Sequence, residues 1–372
     1  MAEAVSVFGN GFLAYHIEVR VNKETVASVK AAVKALESTF RSQGSWPGFP
    51  NSMVQRILQI PGVIDVELEG PQSSVLIPLR MVRGITGCEC KMSTVLGTGP
   101  ITQAIEQSLS SWGIGLETIR RLDDVDAPIE CSVRDCDGVH ASLTIYPASR
   151  RRFQGAIDRQ ETPCEHLVLN RFNAGLSALA ERVANSGGFV SFRPRELGRH
   201  DRVEDFISLL QYTRHLVLSG RHGVMKNFAR HAGIETSRGW PDNHASLQDQ
   251  SFDQLASWLR ARMRPDSIVV LHRNETADTA FYRGTVEPVI VMAPEGYGKA
   301  SRAARIQGAL LGCAMLGDCC VSRSVQSADW QLCCQHVVDL AFTGTDERPW
   351  QYPKFTVGDG VAAYGRQGGS SS

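Results

Sequence analysis

Along the chain, short apolar runs alternate with longer stretches in which apolar residues recur every three or four positions. Runs at 6–12, 89–96, 129–134, 141–146, 166–169, 188–192, 215–218, 267–271 and 289–292 read as strands. The windows 100–112, 174–184, 203–212, 224–232, 252–263 and 300–315 read as amphipathic helices. Repeated strand–helix alternation predicts βαβ units, hence an α/β protein whose mostly parallel sheet is covered on both faces. Leu176, Leu179 and Val183, for example, share one helix face just before Gly187-Gly188 and the strand that carries Val190. One pair of runs departs from the rule. The runs at 129–134 and 141–146 flank CDGVH, and an Asp-Gly turn signal predicts an antiparallel hairpin over 125–148.

Residues 22–60 stand apart as a helical insertion. Val26, Val29, Val33, Leu36 and Phe40 fall on one stripe, followed by the breaker-rich loop QGSWPGFPN. Such a stripe either docks onto the chain's own core or offers a surface to a protein partner. The last residues, 365–372, are Gly- and Ser-rich and are expected to be a disordered tail. The whole, residues 1–372, is expected to form a single domain.

Composition narrows the function classes. Lys+Arg and Asp+Glu are 39 each among 372 residues, so no overall charge draws the chain to nucleic acid or an anionic membrane. The local basic clusters RRFQGAIDR, GRHGVMKNFARH and SRAARIQ then read as solvated faces, with a nucleic-acid or partner-binding module as the rival reading. No apolar run is long enough to span a bilayer, and the first residues carry no basic-then-apolar leader, so the cytosol is the expected compartment, with the nucleus open. The ten cysteines include no C-x-x-C pair. Cys88 and Cys90 should point to one side of a strand without a second half-site, and buried free thiols are expected in place of a metal site.

Candidate chemistry concentrates in VEPVIVMAPEGYGKASRAARIQGALLGCAML, residues 286–316. An apolar strand runs into a two-glycine loop and then into a helix, the layout that turns a helix N-terminus toward an anion. The P-loop pattern does not fit. It needs Gly at 293 and Ser or Thr at 300, where this chain has alanine at both, with Ser301 one residue late. His222 and His272 each follow a predicted strand at its carboxyl end, where open α/β sheets bind ligands.

The segment 93–146, with its strand, glycine turn and helix followed by WGI and the Asp-Gly hairpin, resembles the ribokinase/PfkB carbohydrate kinase family. The downstream order VSFRPREL, VLSGRHG, IVVLH, glycine loop and long helix is similar as well. The resemblance covers about 5–15 and 70–345. It implies a ribokinase-like three-layer sandwich with a small β lid, with ATP, Mg²⁺ and a sugar, nucleoside or nucleotide meeting at the carboxyl ends of the strands. It also implies that the last residue of the glycine loop is an Asp serving as general base.

Laid on this sequence, the family's scaffold positions persist and its chemical positions do not. The loop becomes Ala293-Pro294-Glu295-Gly296-Tyr297-Gly298-Lys299, with Lys299 where the base belongs. The degenerate substrate positions fall on Ala14, Ser74 and Gly99, and the metal-associated motif falls on Ser219-Gly220-Arg221-His222. An acidic position falls near Arg193, and the strand before the nucleotide turn leads into HRNETADTAFY, which has no glycine. The resemblance thus implies anion or nucleotide contacts from Gly296, Gly298, Arg193, His222 and His272, with no metal ligands. The four cations Arg193, His222, His272 and Lys299 either line one anion site or are unrelated surface charges. An ammonium beside phosphate cannot accept a hydroxyl proton, so a catalytically impaired binding, scaffold or sensor protein is expected. The alternative is an active ATP-dependent sugar or nucleoside kinase with a non-standard base. Glu295 is the candidate there, unless it is only a helix-start acid favoured by the dipole.

Overall fold

The apolar runs become strands buried on both faces. In the computed structural model, β10 (His215–Ser219) and β11 (Ile268–His272) read HLVLS and IVVLH and are almost wholly buried. Successive side chains enter different cores, because a strand presents alternate residues to opposite faces. Leu216, Leu218, Val269 and Leu271 join Leu176, Phe206, Phe228 and Leu255 on one side. Val217, Ile268 and Val270 join Ala303, Ile306, Leu310 and Trp330 on the other. The structure describes residues 6–73, 75–149, 153, 164–170, 174–194, 203–219, 224–236, 240, 250–273, 278–284, 286–292, 299–316, 327–343 and 354–356.

The remaining strands of this sheet are β1 (Ser6–Asn10), β4 (Glu89–Leu96), β5 (Ile114–Arg121), β8 (His166–Leu169), β9 (Val190–Phe192), β12 (Asp278–Arg283) and β13 (Val289–Met292). The nine strands run in the order β13-β12-β11-β10-β9-β8-β1-β4-β5. All pairings from β11 through β5 are parallel, while β12 and β13 are antiparallel additions at one edge. Helices α5 (Ala174–Asn185), α6 (Val203–Leu210), α7 (Val224–His231) and α8 (Gln250–Arg260) cover one face. Helices α3 (Leu76–Thr86), α9 (Lys299–Leu316) and α10 (Ser327–Thr343) cover the other. Two helices over one sheet face must approach closely where α9 meets α3. Gly308 lies there, and a Cβ on it would sit 2.7 Å from the Pro78 carbonyl oxygen.

The hairpin is part of a larger second sheet. Strands β6 (Ile129–Asp135) and β7 (Gly138–Ile145) pair antiparallel. They are joined by β2 (Ala14–Val21), β3 (Val63–Gln72) and β14 (Lys354–Thr356) in the order β14-β3-β2-β6-β7. On one face Tyr15, Ile17, Val19, Val66, Leu68, Ile129, Cys131 and Val133 form a single apolar cluster with Val29, Val33, Leu36 and Phe40 of α1 (Val26–Gln43). Met53, Val54 and Ile57 of α2 (Asn51–Leu58) complete it. Residues 22–60 therefore supply the core of the second sheet, and their apolar stripe is covered by the chain itself. Even the breaker-rich loop is anchored: Trp46 packs edge-on against Phe40, and Phe49 against Tyr15. Helix α4 (Pro100–Ser111) touches β5 of the large sheet and β2 and β3 of the second, joining the two. Among the described residues no helix is long and apolar enough to cross a membrane.

Candidate functional site

Parallel strands converge at their carboxyl ends on the first turns of α9. Helix α9 opens at Lys299, so this residue sits at a helix N-terminus, where backbone N–H groups lack intrahelical partners. Two turns further, Gln307 is fully buried; its Nε2 donates to the carbonyls of Ser191 (3.1 Å) and Leu169 (3.4 Å). Its Oε1 accepts from Nε of Arg193 at 3.2 Å, which holds that buried guanidinium just past the end of β9. Arg302, one turn into α9, is also buried, and its Nε finds no acceptor among the described residues. Asn170, just past β8, is buried with its Oδ1 unpartnered among the described residues. Both residues lie toward the carboxyl ends of the parallel strands, the end at which open α/β sheets bind ligands.

His272 belongs to this region but not as a cation. It is fully buried at the end of β11, with Nδ1 2.9 Å from the Thr279 hydroxyl of the antiparallel neighbour β12. Burial first, then the charge of nearby Arg302, pushes it down to about 4, against a partial upward pull from Asp278. A histidine held this low is neutral at physiological pH, so in contact with a ligand it would act as a neutral imidazole. Arg273 beside it is paired with Asp278. Of the other residues singled out in the sequence, His222, Glu295, Gly296, Gly298 and Ser74 lie outside the described residues, as do 365–372, while Lys299 is described only as the start of α9.

The second group of family positions meets where β1 leaves the large sheet and β2 enters the second. Ala14 opens β2, fully buried, and has no side-chain group that could receive a hydroxyl. Gly99 is the N-cap of α4, and the carboxylate of Asp126 lies against it, where a Cβ would stand 2.4 Å from the Asp126 carboxylate. Asp126 comes from the link between β5 and β6. It is fully buried and accepts from the backbone N–H of Ile101 (3.1 Å), Thr102 (2.9 Å) and Ala127 (2.8 Å), and from the Thr102 hydroxyl (3.2 Å). A carboxylate thus reaches the turn before α4 from a residue remote in sequence, where it caps the helix. The N-terminus of α4 already holds an anion supplied by the chain.

On the polar face of the second sheet, two residues beyond Ala14, His16 bridges two strands. Its Nδ1 is bonded to the Glu69 carboxylate and its Nε2 lies 2.8 Å from the Ser132 hydroxyl. Burial works to lower the His16 pKa, but the hydrogen bond and charge of Glu69, with help from Glu130 and Glu18, outweigh it and leave the imidazole above its ordinary value. Burial likewise works to raise the Glu69 pKa, and the His16 bond overcomes it and holds the carboxyl low. A raised histidine stabilises the fold fully below its unfolded value near 6.5, and this contribution is lost as pH rises through the folded pKa. The His16 imidazole should therefore titrate above 6.5 in an NMR pH series. The stability difference between the native chain and His16→Gln should shrink as pH climbs through that midpoint. A midpoint below 6.5, or a difference independent of pH, would contradict the ion pair.

The buried groups at the carboxyl ends are guanidinium donors from Arg193 and Arg302 and an amide oxygen from Asn170. Among the described residues, the one close group of three His, Cys, Asp or Glu ligand atoms is Asp135, Cys136 and Asp137, in the hairpin turn. Its carboxylates have other partners: Asp135 accepts the N–H groups of Asp137 and Gly138, and Asp137 pairs with Lys23. Sequence reasoning missed Arg302, Gln307, Asn170, Asp126 and the His16–Glu69 pair. Only Arg302 had a signal, as part of the basic cluster at the helix start.

No family model matches the sequence, and no curated protein matches it. Solved structures do. Adenosine kinase from Schistosoma mansoni, in complex with adenosine, is 9% identical with a TM-score of 0.60, and the match covers 91% of this chain and 94% of that one. Adenosine kinase from Anopheles gambiae, in complex with a diadenosine tetraphosphate, is 11% identical with a TM-score of 0.56, covering 90% and 93%. Ribokinase from Thermotoga maritima is 11% identical with a TM-score of 0.56, covering 91% of each chain.

Proposed function

We propose, from the premise that this chain has the ribokinase-like fold, that it binds a nucleotide or related phosphate-bearing ligand at the carboxyl ends of β8–β11. It does so without the family's usual phosphoryl transfer, as a pseudokinase-like binding or sensor protein. The observation that carries this reading is the start of α9. The helix opens on Lys299, where the family resemblance calls for a proton-accepting Asp, and its first turn carries buried Arg302 with an unsatisfied Nε among the described residues. A cation held beside phosphates keeps its proton and strengthens ground-state binding, whereas removing the acceptor's hydroxyl proton requires a base. The acceptor side agrees, since Ala14 has no polar side chain and Asp126 caps α4. The adenosine and diadenosine tetraphosphate bound by the structural neighbours suggest a nucleoside or nucleotide as ligand, with any Mg²⁺ carried by the phosphates.

The test is calorimetric binding of ATP and ADP, combined with a phosphoryl-transfer assay over a panel of sugars and nucleosides with Mg·ATP. Nucleotide should bind, no product should form, and Arg302→Ala should weaken binding by roughly tenfold or more, the scale of one charge-assisted hydrogen bond. Turnover abolished by Glu295→Ala and retained in Lys299→Ala would overturn the reading in favour of an active kinase with a displaced base. Nucleotide affinity indifferent to Arg302 would remove the site from this position.

A further inference from the structure

At the opposite end of the large sheet from the nucleotide cleft, where β4 begins, two thiols face each other. The Sγ atoms of Cys88 and Cys90 are 3.9 Å apart. Cys88 is half-buried and reachable from solvent, while Cys90 is buried in the apolar core beside it. The spacing i, i+2 at a strand start puts both side chains on one side, which is why they meet. Around Cys88 the backbone is pinned: its N–H donates to the Thr86 hydroxyl at 3.2 Å, and Nη1 of Arg83 donates to the carbonyls of Gly87 and Cys88, each at 2.6 Å. The guanidinium therefore stands next to the thiol. Among the described residues no third ligand is close enough to complete a metal site with this pair.

We propose that Cys88 is a site of oxidation by hydroperoxides and that Cys90 resolves it to a disulfide. In the first step the Cys88 thiolate attacks one oxygen of hydrogen peroxide; the O–O bond breaks, giving Cys88 sulfenic acid and hydroxide. In the second, the Cys90 sulfur attacks the sulfenic sulfur. An S–S bond forms, the S–O bond breaks, and the Cys90 proton leaves with the hydroxyl as water. Overall the two thiols lose two electrons to the peroxide.

The arrangement favours each step. The Cys90 S–H is the leading influence on Cys88, lowering it to about 6 against burial, with further lowering from the Thr86 hydroxyl and the Arg83 charge, so the reachable sulfur is the thiolate. Cys90 is held in its protonated form first by its bond to the Cys88 thiolate, then by burial and the charge on Cys88. Oxidising Cys88 removes that negative charge and the bond to it, the leading reason Cys90 keeps its proton, while burial remains. The Cys90 sulfur already lies 3.9 Å from the Cys88 sulfur, in place to attack the sulfenic acid.

The experiment compares Cys88 with Cys136, an exposed thiol in the β6–β7 turn of the same chain. At neutral pH Cys88 should be alkylated by iodoacetamide, and oxidised by dilute hydrogen peroxide, about tenfold faster than Cys136, because the thiolate is the reacting form. Mass spectrometry of the oxidised chain should show two hydrogens lost from the peptide carrying both thiols. Cys90→Ser should stop at the sulfenic acid, gaining one oxygen and trapping dimedone, and Cys88→Ser should leave Cys90 reduced. Equal reactivity of Cys88 and Cys136 would overturn the proposal. So would a native chain that accumulates dimedone-reactive sulfenic acid with Cys90 present.

Discussion

Asp126→Ala should lower the free energy of unfolding by about 3 kcal/mol, the scale of removing a buried carboxylate and orphaning its donors. The four groups that lose their acceptor are the Ile101, Thr102 and Ala127 N–H groups and the Thr102 hydroxyl. Water cannot easily replace the carboxylate, because the position is fully buried. The damage extends beyond α4. The Asp126 N–H donates to the Gly44 carbonyl at 2.7 Å and the Val125 carbonyl accepts from Thr98 at 2.8 Å, so this link ties the α1–α2 loop to the turn before α4. Asp126→Asn keeps one oxygen acceptor and should cost about 1–2 kcal/mol, in the range of a weakened cap. Urea unfolding followed by circular dichroism gives both numbers. A loss below about 1 kcal/mol for the alanine variant would mean that the donors find other partners, against the reading of Asp126 as the central cap.

Gly308→Ala should be destabilising even though alanine is the better helix former, and Gly308→Val should be worse. The added Cβ would stand 2.6 Å from the Met81 Cβ, 2.7 Å from the Pro78 carbonyl oxygen and 2.8 Å from the Pro78 Cα. Two of those atoms are backbone in α3, so α9 and α3 must separate along their contact. Overpacking of this kind costs roughly 2–3 kcal/mol for one methyl, less the fraction of a kcal/mol that alanine gains in helix propensity. Gly312, one turn on, supplies the control. The atoms nearest a Cβ there are Cδ1, Cγ2 and Cβ of Ile85 at 3.1–3.2 Å, so the neighbour must give by only a few tenths of an ångström and no backbone atom is among them. Gly312→Ala should therefore stay within about 1 kcal/mol of the native chain, with helix propensity offsetting the contact. Equal urea midpoints for the two alanine variants would show that the helices are not closely apposed at Gly308.

Where an element obeys a simple period, its place was legible in the chain. The buried runs of β8, β10 and β11 carry three or four consecutive apolar residues because helices lie on both faces, and the stripe Val29, Val33, Leu36 and Phe40 needed only helical spacing to be seen. Helix α3 was not legible, because Pro78 and Gly84 break its pattern; Pro78 falls in the first turn, where its missing N–H costs nothing. Strand β12, read as a nucleotide turn lacking its glycines, is an antiparallel neighbour of β11, a pairing made by residues outside any local period.

The site divides the same way. Lys299 at a helix start and Arg193 at a strand end follow from local order, since each position depends on its own strand or helix. The partners that give them meaning do not. Gln307 reaches Arg193 across 114 positions, Asp126 caps a helix that begins 26 residues earlier, and Glu69 and Ser132 find His16 from 53 and 116 positions away. The chain alone determined its layers and the order of strand, glycine-containing segment and helix, with Lys299 at the helix start. Only the tertiary structure decided which buried polar groups are satisfied, which have no partner among the described residues, and that burial pushes the His272 pKa down. Burial and hydrogen bonding set those states, and both are made between segments that are neighbours only once the chain has folded.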